Sequence, residues 1–134
     1  MLRYLFPRLF GQFKEGGLIR AAFVFTDSGD TWARYTTDAH SYGQATDFTV
    51  ADAGTGLVTV TFPKCKEVEV IHASIRNPTV GTVGNVRAIE LPHMTKTVAQ
   101  AGTFGLCLYT IDGTEALADP VDQAVLAMTL YIGK

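Results

Sequence analysis

The chain has 134 residues, 47% of them apolar, with 11 Lys and Arg against 13 Asp and Glu for a formal net charge of −2. That length fits one domain burying roughly two-thirds of its unfolded surface, and the apolar content excludes wholesale disorder. The near-neutral balance argues against nucleic-acid binding as the main task, which needs a basic face. Charged residues stand at 18%, below the roughly 25% of a typical soluble domain, as expected of a surface partly covered by other subunits.

The first seventeen residues read as an arm distinct from the domain that follows. Arg3, Arg8 and Lys14 stand against Glu15, interleaved with Leu2, Tyr4, Leu5, Phe6, Leu9, Phe10 and Phe13. Gly16-Gly17 then reads as a flexible joint. A secretory signal does not fit, because Arg3, Pro7 and Arg8 interrupt the apolar run and no small-residue cleavage site follows. Pro7 also spoils a continuous membrane-surface helix, and no apolar run approaches the roughly 18 residues that span a bilayer. The arm can grip a neighbouring protein, lie on a membrane or pack back on its own domain. Docking to a protein is the favoured reading, through Arg3, Tyr4, Phe6, Arg8, Phe10, Phe13 and Lys14. The expected division is therefore an arm at 1–17 and a β domain at 18–134.

That domain reads as all-β. Thr, Val and Ile are abundant, and they favour a pleated surface. Gly, Asp and Asn clusters punctuate the chain at short intervals, as in a sandwich or barrel. Strands are expected near Leu18 to Phe25, Thr31 to Thr36, Asp47 to Ala51, Leu57 to Phe62, Glu67 to Ile75, Val83 to Leu91, Thr95 to Ala99, Phe104 to Ile111 and Ala124 to Ile132. No capped amphipathic helix is expected beyond a turn or two near the N-terminus. Alternation is clearest in Leu57 to Phe62, where Val58, Val60 and Phe62 share one face. In Glu67 to Ile75 the apolar parity changes between Val70 and Ile71, which predicts a β-bulge. The last strand is apolar on both faces, so it is either central to a sheet or half of a subunit contact. Met128, Leu130 and Ile132 are the candidates for such a contact.

Tight turns are expected at Asp27-Ser-Gly-Asp30 and Asp112-Gly113. Ala53-Gly-Thr-Gly-Leu57, Gly81-Thr-Val-Gly84 and Ala101-Gly-Thr-Phe-Gly-Leu106 read as turns that open strands. With no following Lys-Ser/Thr and no helix, they do not read as phosphate loops. Cys65 and Cys107 fall inside expected strands and outside any zinc-type cluster, as buried free thiols would. A disulfide between them would need neighbouring strands.

No catalytic constellation stands out, and no cofactor or metal is called for. His40, His72 and His93 lack ligand spacing, and Ser28, Ser41 and Ser74 sit in no nucleophile elbow. His72 and Ser74 share a strand face, but a third orienting group is not placed. Asp27 with Asp30, or Asp119 with Asp122, offers paired carboxylates for glycoside hydrolysis, yet turn and cap roles suit loop aspartates better. The chain is thus expected not to be an enzyme. Trp32, Tyr35 and Tyr42 gather in one stretch as possible ligand-stacking groups, against a plainer role for Trp32 in the core.

Two passages carry a resemblance. Asp47-Phe-Thr-Val-Ala-Asp-Ala-Gly-Thr-Gly-Leu-Val-Thr-Val-Thr-Phe-Pro63 resembles the F-T-V-x-x-x-G-T-G-x-Y/V-T-V-T-F stretch of small β-rich virion proteins of tailed bacteriophages. The stretch from Cys107 to Ile132, with Asp119-Pro-Val-Asp122 inside it, resembles their V-x-T-Y-x-x-x-G-x-x-x-D-P-x-D-x-x-x-V-x-L-x-L ending. The resemblance implies an antiparallel, jelly-roll-like β-sandwich of the capsid decoration, cement or head-fibre type. Tail-fibre members follow a long repetitive shaft, whereas a short basic arm precedes this domain, which favours a seat on the capsid surface of the virion. The expectation is a decoration or cement protein made in the host cytoplasm. It would bridge neighbouring major capsid subunits and associate as a homo-oligomer, dimer or trimer, without nucleic acid or membrane. The alternative is a head-fibre or tail module that binds a host-surface glycan through Trp32, Tyr35 and Tyr42.

Overall fold

The computed structural model describes residues 16–35, 47–81, 85–110 and 115–133. Among the described residues eight strands form: β1 (Gly16–Thr26), β2 (Thr31–Arg34), β3 (Thr49–Gly54), β4 (Leu57–Thr61), β5 (Glu67–Arg76), β6 (Val86–Glu90), β7 (Thr103–Thr110) and β8 (Val125–Gly133). They make two four-stranded sheets, ordered β2-β1-β8-β5 (sheet A) and β3-β4-β7-β6 (sheet B). Every strand pairing is antiparallel. The protein is an all-β sandwich.

Period-2 alternation explains how the core forms. Val58, Val60 and Phe62 are buried in line with their shared parity, while Leu57 and Thr61 on the opposite parity face out. From sheet A come Ile19, Ala21 and Phe23 of β1 and Leu126, Met128, Leu130 and Ile132 of β8. These meet Val50, Phe104, Leu106 and Leu108 of sheet B in one cluster. The aromatic pairs Phe23–Phe48 and Phe62–Phe104 sit inside it, with ring centroids 5.4 and 5.8 Å apart. Such geometries add to burial through the ring quadrupoles.

The bulge expected at Val70–Ile71 is present as a register shift between Val70 and His72 against β8. It lets Val68 and Val70 before the slip, and Ala73 and Ile75 after it, all oppose core residues of β8. Ile71, the extra residue, is left exposed. The Asp27–Asp30 turn also forms, with φ of 106° at Gly29 and 50° at Asp30. Gly54 and Gly56 turn β3 into β4. The Asp112-Gly113 turn and Thr82 to Gly84 lie outside the described residues.

The structure departs from the sequence reading in four places. Thr95 to Ala99 is no strand. Residues Lys96–Ala101 form a helix, α1, capped by the Thr95 hydroxyl, which accepts from the Val98 amide, and ended by Gly102 at φ 71°. Thr95 itself stays extended (φ −107°, ψ 167°), but its hydroxyl caps the helix that begins at the next residue, and Gly102 ends it. Gly16 and Gly17 are no joint but the first residues of β1, paired with Gly133 and Ile132. Cys65 lies in the loop after β4, with its thiol toward the Ala99 carbonyl at 3.7 Å, and both cysteines are free.

The fourth departure concerns the expected subunit contact. Met128 and Leu130 have no exposure and Ile132 has 6%, because β8 lies between β1 and β5 and turns these three into the chain's own core. They have no surface left to offer a second copy. The other half of the sequence reading, a strand central to its sheet, is the one that holds.

Candidate functional site

The arm residues singled out for docking (Arg3, Tyr4, Phe6, Arg8, Phe10, Phe13 and Lys14) lie outside the described residues, as does Tyr42. Trp32 and Tyr35 are described, and the structure does not bring them to one face. Trp32 opposes Phe25 in the register and packs on it, with ring centroids 5.0 Å apart, at the edge of the core. Its indole Nε1 is buried with no hydrogen-bond partner among the described residues. Tyr35 is three residues on, so strand alternation points it the other way, and the residue is 41% exposed. An odd offset cannot make a stacking platform on one strand.

The paired carboxylates turn out to be ties between loops. Asp119 Oδ1 accepts from the Gly56 amide at 2.9 Å, and Asp122 Oδ1 accepts from the Asp27 amide at 3.1 Å. Each fastens the segment before β8 to a hairpin distant in sequence, a longer-range tie than the local turn and cap bonds expected of loop aspartates. His72 and Ser74 lie on the outward face of β5, opposite Thr129 and Ala127. Among the described residues, no group of three His, Cys, Asp or Glu is placed to hold a metal ion.

Among the described residues, two titratable groups are perturbed. The Tyr109 hydroxyl donates to Glu90 Oε2 at 2.6 Å across the β6–β7 pair, and that hydrogen bond pushes its pKa up to about 12. Burial raises the Cys65 thiol, which keeps it protonated and slow to react. A shallow groove of about 310 Å³ is lined by Glu69, Val70, Leu91, Pro92, His93 and Met94. Neither perturbed group lines it.

The feature that sequence reading missed is the outward face of sheet A. The residues of β1 and β8 that point away from the core pair as Leu18–Tyr131, Arg20–Thr129, Ala22–Ala127 and Val24–Val125. All but Arg20 and Thr129 are apolar or aromatic. Ala33 of β2 extends the Val24–Val125 row on one side, and Ser74 of β5 extends the alanine row on the other. The two-faced apolarity of β8 was the available signal, but the rows exist only once β1 is known to be its neighbour. Compared with protein-family models, curated proteins and solved structures, the chain matches none.

Proposed function

We propose that this chain is a structural virion protein of a tailed phage, decorating or cementing the capsid by bridging neighbouring major capsid subunits. The observation that carries the reading is an antiparallel β-sandwich with few charges. A protein whose task is adhesion needs area that partners can cover, and an antiparallel sheet supplies it without an active cleft. The sandwich class agrees with the virion-protein resemblance of residues 47–63 and 107–132. In the same spirit, β1 and β5 both pair with β8 in sheet A and β4 pairs with β7 in sheet B, all long-range in sequence, a nesting compatible with a jelly-roll-like arrangement. Among the described residues no helix is long and apolar enough to cross a membrane.

Residues 1–15 would supply the grip, with their aromatic side chains buried against capsid and Arg3, Arg8 and Lys14 paired with acidic groups on it. Binding the assembled shell and not its free subunits stabilises the shell by mass action. The test is co-sedimentation of the full chain with decoration-free capsids. We expect saturable binding to capsids, weakened in a variant carrying both Phe6→Asp and Phe10→Asp. Absence of pelleting together with binding to host-cell polysaccharide would replace this reading with the head-fibre or tail module.

A further inference from the structure

Of the four strands that end the two sheets, β5 is the longest among the described residues, at ten residues against four, six and five for β2, β3 and β6. Its one strand partner among the described residues is β8, so half of its amide and carbonyl groups turn to the free side. The edge is open to water. Glu67, Glu69, Ile71, His72 and Arg76 are all exposed. Glu69 and Val70 share the groove of about 310 Å³ with residues 91–94, so that neighbouring segment does not seal the edge. A strand of this length with a free side invites pairing with another chain, and charges and bulges are the usual guards against it. β5 carries both, and their placement selects one partner where it might have excluded all.

Laid antiparallel against a second copy of itself, β5 has one register that engages all ten of its residues. Glu67 of each copy then stands opposite Arg76 of the other, and Glu69 opposite Ser74. Opposite charges therefore meet at both ends, and neither Glu67 nor Arg76 has an ionic or hydrogen-bonded side-chain partner among the described residues. A two-fold ladder also requires core-facing residues to meet core-facing residues. An unbulged strand of ten residues fails this, because its first and last positions differ in parity. The register shift between Val70 and His72 removes the mismatch. It sets Val68 opposite Ile75 and Val70 opposite Ala73, four residues that all pack toward the core. Ile71, 56% exposed, falls beside the two-fold axis, where the second copy covers it. We propose that two copies of this chain join edge to edge through β5 in this register, continuing the two four-stranded A sheets as one sheet of eight strands. The two-fold axis closes the assembly at a dimer, since each copy's β5 edge is consumed by the other. The pairing stands whether or not the chain seats on a capsid.

The test uses the full chain in sedimentation equilibrium and in amide hydrogen exchange, each at low and high protein concentration. The mass should rise to twice that of the monomer. Arg76→Glu should weaken the dimer about tenfold, because two attractive cross-strand pairs become two repulsive ones. Combining it with Glu67→Arg should restore the dimer by exchanging the charges. The exchange measurement needs no variant: amides of β5 should slow as concentration rises, while those of β2 stay as they were. A monomer at every concentration would overturn the proposal, as would an assembly larger than a dimer. A dimer untouched by Arg76→Glu, a loss that the double exchange does not rescue, or β5 amides indifferent to concentration would each overturn it too.

Discussion

Adding one methyl group at Gly56 should destabilise the sandwich severely, and the geometry says by how much. Gly56 has φ +68°, a left-handed conformation that costs an L-residue about 1–2 kcal/mol. A Cβ there would lie 2.7 Å from the Ala118 nitrogen and 2.9 Å from the Leu108 carbonyl oxygen. Those two atoms are hydrogen-bonded to each other at 3.1 Å, so the methyl would wedge into the bond that ties the 115–120 segment to β7. Both neighbours are backbone and cannot swing aside. Overpacking contributes about 1–3 kcal/mol and the disturbed hydrogen bond about 0.5–1.5 kcal/mol. Gly56→Ala recovers about 0.4–1 kcal/mol by restricting the unfolded chain, leaving a net loss of about 2–5 kcal/mol. Gly81→Ala is the control, because φ is +80° there but nothing lies within 4 Å of the added carbon. It should cost about 1 kcal/mol, from backbone strain less the same entropy gain. Urea titration followed by the fluorescence of the single tryptophan, Trp32, reads the contrast. With a slope of about 2 kcal/mol per molar, the Gly56→Ala midpoint should fall about 0.5–2 M below that of Gly81→Ala. Coincident midpoints would refute the account of the knot around Gly56.

Three further outcomes follow from the same physics. Leu130→Ala should cost about 2–5 kcal/mol as a core cavity and leave the sedimentation-equilibrium mass unchanged; a lower mass at unchanged stability would restore Leu130 as a subunit contact. Thr95→Ala removes the hydroxyl that caps α1 and should cost about 0.5–2 kcal/mol in chemical denaturation, with Thr95→Ser recovering most of it; equal stability of all three proteins would show that the cap contributes nothing. The Tyr109 phenol should titrate near pH 12 by ultraviolet absorbance and return toward about 10 in Glu90→Gln. Because the folded value is the raised one, this bond stabilises fully below pH about 10 and its contribution drains away as pH climbs through about 12. A wild-type stability profile identical to that of Tyr109→Phe across that window would count against it.

Much of the fold could be read before any coordinates, and the exceptions have physical causes. Val58, Val60 and Phe62 announce their strand because one face meets a core and the other water. The Val70–Ile71 slip announces its bulge because parity must be restored. Residues 95–101 mislead because Thr95, Thr97 and Val98 carry strand propensity, while the deciding features are a hydroxyl at the cap and Gly102 at the end, each a single-residue signal. Trp32 and Tyr35 look like one aromatic patch in a linear sequence, yet their spacing of three separates them once the backbone is extended. The outward face of sheet A is hidden from sequence for a different reason. Its rows join β1 to β8, residues far apart in the chain, and no local pattern encodes that adjacency.

The marriage of β1 to β8 also orders events in time. At roughly 5–20 residues per second of synthesis, Gly16 emerges on the order of 10 s before its register partner Gly133. The strands of sheet B (β3, β4, β6 and β7) are all made within that interval and can find one another first. Throughout it, β1 waits with the edge meant for β8 unpaired and β5 waits with no strand partner, the kind of segments that pair with strangers. Ribosome-bound chains stopped before residue 125 should therefore bind holdase chaperones, and release them when the eighth strand is added and the gap closes.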